Sequence, residues 1–271
     1  MSPSLTSKAI ASCHDIGEAR ALMRKVEAST DLQSPYSISI PLLGAAYLND
    51  GKRYGRWKEA LLQAFKIGKE ESEDSIVEKL QEKASTNAWI LGRLLVADLR
   101  MGDQSSAQKN VSIMEKLLKK SAVDRFSAWA WGYLAIFYAQ VKPKEYPLVQ
   151  KQMLETTDVL MRQPGEKGKD NVLWALVMQL QSFADIGDKV GYFSCLQKMQ
   201  EFSGTLSVQE TLESIPAEDF RAWATSLVLR AAKKIPDRFL EHILLGYLPK
   251  TIAASPSDGD KMLALFVRCS N

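Results

Sequence analysis

Apolar residues recur at steps of three and four through most of this chain, the spacing of one buried stripe along an α-helix. Leu91, Leu94, Leu95 and Leu99 form such a stripe, and Met101-Gly102-Asp103 breaks it, the glycine suiting a left-handed C-terminal position. A second stripe, Ala107, Val111, Met114, Leu117 and Leu118, runs into Lys119 and Lys120, cations that favour a helix C-terminus. Ser121 and Asp124 signal the start of a helix covering Ala128 to Gln140, and Pro143 stops it. Tyr146, Val149, Met153, Val159 and Leu160 mark its partner. The next pair is Leu173, Leu176, Val177, Leu180 and Phe183, then Tyr192, Leu196 and Met199 after the Ile186-Gly187-Asp188 turn. Ser207 and Glu210 have capping-box spacing for a short helix. Pro216 suits a first helical position, before Trp223, Leu227 and Ala231. Pro236 opens a helix carrying Phe239, Ile243, Leu244 and Leu248. Ser255 to Gly259 separates a final helix over 258–269, placed to cap the open end of a stack.

Tryptophans punctuate this pattern. Trp89 and Trp174 each precede a turn glycine, Gly102 and Gly187, by the same interval, and Trp131 and Trp223 stand at the same interval before Lys144 and Pro236. A helix start followed by a breaker, repeated every 40–50 residues or so, is what stacked helical hairpins produce. The reading is one domain over 1–271, with regular hairpins over 86–250 and a less regular N-terminal third over 1–85. In that third, Asp15 to Leu22 reads as a further hairpin turn. Ser37 to Ile40 alternates without a partner strand and reads as a loop or frayed helix start before Pro41. Lys69 to Ala84 reads as a charged, solvated helix, and Gln163 to Lys169 as the clearest loop.

Leu43-Gly44, Tyr47 and Gly51, together with the Gly102 to Ala107 spacing, make the chain similar to tetratricopeptide repeats, although its intervals exceed that family's 34 residues. The resemblance implies an all-α fold of antiparallel helical hairpins stacked into a right-handed solenoid with a concave binding face. Superposing the turn glycines on the family's implies a partner-binding strip of Trp89, Arg100, Trp131, Tyr138, Lys142, Gln181, Arg230 and Lys234, with Lys233 beside it. Aromatics interleaved with basic residues suit an extended partner with acidic character. A tryptophan at a repeated helical position also serves as core between repeats.

Composition narrows the chemistry. Apolar content of 46% and charged content of 25% are those of an ordinary globular chain. A net charge of +3 gives no global drive toward nucleic acid. Lys52, Arg53, Tyr54, Arg56 and Trp57 do form a basic, aromatic patch of the kind that contacts phosphates and stacks bases. Three cysteines (Cys13, Cys195, Cys269) and two histidines (His14, His242) provide neither a disulfide framework nor a zinc site. No metal and no cofactor is expected.

No catalytic constellation stands out. Cys13 and His14 are adjacent, so a helix points them about 100° apart. Gly165-Glu-Lys-Gly-Lys-Asp lacks phosphate-loop spacing and carries Glu166 and Asp170. Glu70, Glu71, Glu73 and Asp74 read as a solvated face. No apolar run is long enough to span a bilayer, and the N-terminus lacks a leader pattern, so the expected location is cytoplasmic. The expected function is a non-enzymatic interaction module, an adaptor, chaperone or regulatory subunit, holding a partner peptide or protein on its concave face. The alternatives are a helical enzyme or small-molecule binder with a pocket between hairpins, and a nucleic-acid-binding repeat.

Overall fold

A computed structural model describes residues 3–68, 70–162, 169–215 and 220–269, the side chains of 3–14 and 169–170 excepted. The chain is all-helical there, with no strand among the described residues. Its helices are α1 (Pro3–Ser29), α2 (Pro35–Tyr47), α3 (Gly51–Ala64), α4 (Glu73–Leu80), α5 (Ala84–Met101), α6 (Gln104–Leu118) and α7 (Arg125–Val141). They continue as α8 (Tyr146–Met161), α9 (Lys169–Ile186), α10 (Lys189–Ser203), α11 (Val208–Glu213), α12 (Arg221–Lys234), α13 (Arg238–Ala254) and α14 (Asp258–Cys269).

Local chemistry sets the turns. Asp50, Asp103, Asp188 and Asp237 each precede a helix, and each side chain accepts the backbone N–H three residues on, at 3.0, 3.1, 2.9 and 3.1 Å. Such caps each stabilise a helix start by about 1 kcal/mol. The residue before the first three, Asn49, Gly102 or Gly187, has φ of 53°, 74° or 77°. Asn and Gly tolerate that left-handed geometry better than other residues. Asp124 caps α7 and, with Ser127, completes a reciprocal capping box.

Packing follows chain order. α2, α5, α7, α9, α12 and α14 each touch the next, and α3, α6, α8, α10 and α13 cover them from outside. The last inner helix then packs against both α1 and α2. The chain ends therefore meet, and six inner helices, parallel by the up-and-down connectivity, surround one axis. An open arc would leave a concave groove along the inner helices; here that face is turned inward. Gly44 marks the seam: a Cβ there would lie 2.9 Å from both Met23 of α1 and Met262 of α14. Gly92 lets α5 approach α7 more closely still, since a Cβ there would lie 2.3 Å from Tyr133.

Three local expectations differ from the structure. Asp15 to Leu22 lies inside the continuous α1, without a turn. Ser37 to Ile40 is helical within α2, which is nucleated by the Ser34 cap and Pro35 and tolerates Pro41 inside it. The charged segment after Lys69 does form a short helix, but its Ile76, Val77 and Leu80 are buried against α6. Pro216, and 163–168 of the expected loop, lie outside the described residues.

Candidate functional site

Five inner helices turn the same stripe toward the axis, with steps of four, three and four residues. The first tier, at the N-terminal end, is Tyr36, Trp89, Trp129, Trp174 and Trp223. The second is Ile40, Arg93, Tyr133, Met178 and Leu227, and the third is Leu43, Val96, Ile136, Gln181 and Arg230. The fourth, at the C-terminal mouth, is Tyr47, Arg100, Gln140, Asp185 and Lys234.

The first tier is a continuous aromatic layer. Ring centroids lie 5.4 Å apart for Tyr36–Trp89, 5.3 Å for Trp89–Trp129, 6.3 Å for Trp129–Trp174 and 4.8 Å for Trp174–Trp223. Phe126 and Phe220 fill in beside them. The Trp129 indole N–H donates to the Asn171 carbonyl at 2.9 Å. Such offset and tilted pairs add about 0.5–1.5 kcal/mol each beyond area burial.

The C-terminal mouth differs. A cavity of about 440 Å³ opens there, within the size range of small-molecule sites. Arg100 on α5 and Arg230 on α12 both line it from opposite sides of the ring. The Arg100 guanidinium lies 4.1 Å from the Tyr47 ring centroid, but its Nε has no hydrogen-bond partner. Burial pulls Arg100 below its ordinary pKa; Tyr47 offsets this in part and the Arg230 charge adds to it. Neither arginine has an ion-pair or hydrogen-bond partner among the described residues. The one carboxylate in the wall, Asp185, is already held by Lys234 and by the Gln140 amide at 2.6 Å.

Unsatisfied polar atoms concentrate on this axis. Among the described residues, buried side-chain atoms without a partner are Trp89 Nε1, Arg93 Nε, Arg100 Nε, Tyr133 Oη, Gln181 Oε1, Trp223 Nε1 and Asp260 Oδ2. Every one belongs to an inner helix and lines an axial cavity. Native proteins leave few such groups, and each calls for an occupant or an ordered water. Burial also pushes the Tyr133 hydroxyl up to about 12.

The expected partner strip divides accordingly. Arg100, Gln181 and Arg230 come together at the mouth, and Lys234 stands behind them on Asp185. Trp89 belongs to the opposite end. Trp131, Tyr138 and Lys142 lie off the axis: Trp131 packs half-buried on the core, Tyr138 donates to Glu115 of α6 at 2.7 Å, and Lys142 sits 5.8 Å from the Tyr138 ring. Lys233 is half-buried at the end of α12. Sequence reasoning missed Trp129, Arg93, Tyr133 and Asp260.

The basic, aromatic patch is engaged internally. The Tyr54 hydroxyl donates to buried Asp98 at 2.5 Å, and the Trp57 indole N–H donates to Glu27 at 2.9 Å. Arg53 and Arg56 pair with the same Glu27, which leaves exposed Lys52 outside this network. Both rings are buried, so neither presents a face for stacking.

Elsewhere, Cys195 is buried, donates to the Leu176 carbonyl at 3.3 Å and has its thiol pushed up to about 12 by burial. His242 is exposed, and the side chains of Cys13 and His14 lie outside the described residues. Hydrogen bonds from Lys79 and Ser75 hold Glu71 near 2. Among the described residues no group of His, Cys, Asp and Glu is placed to hold a metal, and no helix is long and apolar enough to cross a membrane. Comparison with protein-family models, curated proteins and solved structures gives no match.

Proposed function

We propose that this chain is a non-catalytic binding protein whose site is the axial mouth, and that its ligand is a small organic anion held between Arg100 and Arg230. The observation that carries this reading is two guanidinium groups lining one open-mouthed cavity with no carboxylate of their own. Arginines near helix C-termini often serve the helix dipole, but these two also share one cavity without an ion-pair partner among the described residues. A carboxylate or phosphate would take the fork geometry that arginine presents and relieve the repulsion between the two cations. Gln181 and Tyr133 offer further polar contacts, and Leu43, Val96 and Ile136 supply an apolar wall.

A partner segment laid along a concave strip needs that strip open, and the packing of α14 on α1 and α2 turns it inward. The reading proposed here keeps a binding role and assigns it to the mouth. Isothermal titration calorimetry with mono-, di- and tricarboxylates and with sugar phosphates tests it. Saturable binding by one class, weakened at least about tenfold in Arg100→Gln and Arg230→Gln, supports the reading. Binding unaltered in both variants removes it, and binding only by acidic peptides replaces the small anion with a partner's side chain or terminus.

A further inference from the structure

A second cavity, of about 190 Å³, lies at the opposite end of the axis between α2, α5, α12 and α14. Arg93 and Asp260 both line it, and they are 1% and 5% exposed. Arg93 is wedged among aromatic faces, its guanidinium carbon 4.5 Å from the Trp89 ring centroid, 4.9 Å from Tyr36 and 5.5 Å from Trp223. Its hydrogen bond goes from Nη1 to Ser39 Oγ at 2.9 Å, and Nε has no partner. Asp260 spends Oδ1 on the Trp223 backbone N–H at 2.9 Å, where it caps α12; the Ser255 hydroxyl and Ala222 N–H also lie near the carboxylate, but neither is within hydrogen-bond geometry of Oδ2. A buried cation and a buried anion facing one cavity relieve their desolvation by closing on each other. These two do not pair, and the cavity stands between them.

We propose that this cavity binds a small zwitterion of amino-acid size, with its carboxylate on Arg93 and its ammonium on Asp260 Oδ2. The volume equals that of roughly six liquid waters, which suits one small amino acid. Ile40 and Leu263 give an apolar wall for a short side chain, and the unpaired Trp223 indole N–H offers a third polar contact. Tyr36 and Phe220 are shared with a larger cavity of about 540 Å³ at the same end, which gives a route in. This site is separate from the mouth and does not depend on the anion proposed there.

The test is thermal unfolding and calorimetry with glycine, alanine, serine and leucine, against acetate and methylammonium as single-charge controls. Saturable binding is expected from one or more of the amino acids, with a midpoint rise of roughly 5 °C at a hundredfold excess over Kd. Asp260→Asn keeps the cap oxygen for Trp223 and loses at least about tenfold in affinity for the zwitterion, without a lower ligand-free midpoint. Arg93→Lys keeps the charge but not the fork and weakens binding as well, whereas Arg100→Gln leaves it unchanged. Absence of any response to the amino acids overturns the proposal, as does equal binding by Asp260→Asn and the parent chain. So does a crystal structure grown with the amino acid that shows only waters bridging Arg93 and Asp260.

Discussion

The N-terminal and C-terminal ends of the ring axis use the same stripe on the same helices, yet they fill it differently. At the N-terminal end five aromatic rings pack into one layer around the buried Arg93 guanidinium. At the C-terminal end the same helices, eleven residues on, present Tyr47, Arg100, Gln140, Asp185 and Lys234 around a cavity. Closing the aromatic end contributes stability through contact area and ring packing. Leaving the mouth polar and underpaired costs stability, since a buried charge without a partner is unfavourable. The aromatic layer therefore reads as the clasp of the ring, and the mouth arginines as its anion site. Substitutions in the aromatic layer and at the mouth arginines should differ in sign.

The largest effect is expected at the clasp. Trp129→Ala removes a buried ring from the middle of the aromatic layer and should cost about 4 kcal/mol. Trp131→Ala, two residues on and half-buried, should cost less than half as much; urea unfolding of both separates them. Next comes Gly92→Leu, at the closest approach between α5 and α7, where overpacking should cost about 3 kcal/mol or prevent folding. Gly44→Ala, which meets only the flexible ends of Met23 and Met262, should be milder in the same assay. At the mouth, Arg100→Gln should leave the denaturation midpoint unchanged or raise it, while anion affinity falls at least about tenfold. A fall in stability as large as that of Trp129→Ala would erase the distinction between the ends.

The smallest effect concerns pH. Burial raises the Asp260 carboxyl above its ordinary 3.8, partly offset by the Trp223 N–H. A raised folded-state value means the unfolded chain releases its proton first, so this group's contribution to stability falls as pH climbs through and above 3.8. Asp260→Asn should remove that loss and gain about 1 kcal/mol at neutral pH relative to the parent chain. Chemical denaturation at acidic and neutral pH checks the sign. The opposite sign holds for Asp103, where the Lys58 ammonium lowers the carboxyl, so its contribution is lost as pH falls.

Much of this was legible from residues alone. Helix periods, the Asp caps after left-handed turn residues and the hairpin order all depend on neighbours within a few positions, and sequence carries those directly. Arg100, Gln181, Arg230 and Lys234 were found because each stands seven or eleven residues beyond Trp89, Trp174 or Trp223. Trp131, Tyr138 and Lys142 missed the axis for one shared reason. They obey the same seven- and eleven-residue steps, but start two residues beyond Trp129, which is about 200° around the helix. Two tryptophans in one turn left the register open, and the expected breaker at Pro143-Lys144 favoured the wrong one. The start of α2 at Ser34-Pro35 was hidden by the period-two look of Ser37 to Ile40. Ring closure had no local signal at all, because α1 and α14 stand at opposite ends of the chain and meet through Gly44 and the methionines around it.

Crystals grown with a small dicarboxylate would show the ring and its mouth together. The expected result is α14 seated against α1 and α2, with the anion's density between the Arg100 and Arg230 guanidinium groups. A chain whose ends stand apart, or arginines turned to solvent with the anion bound elsewhere, would contradict it.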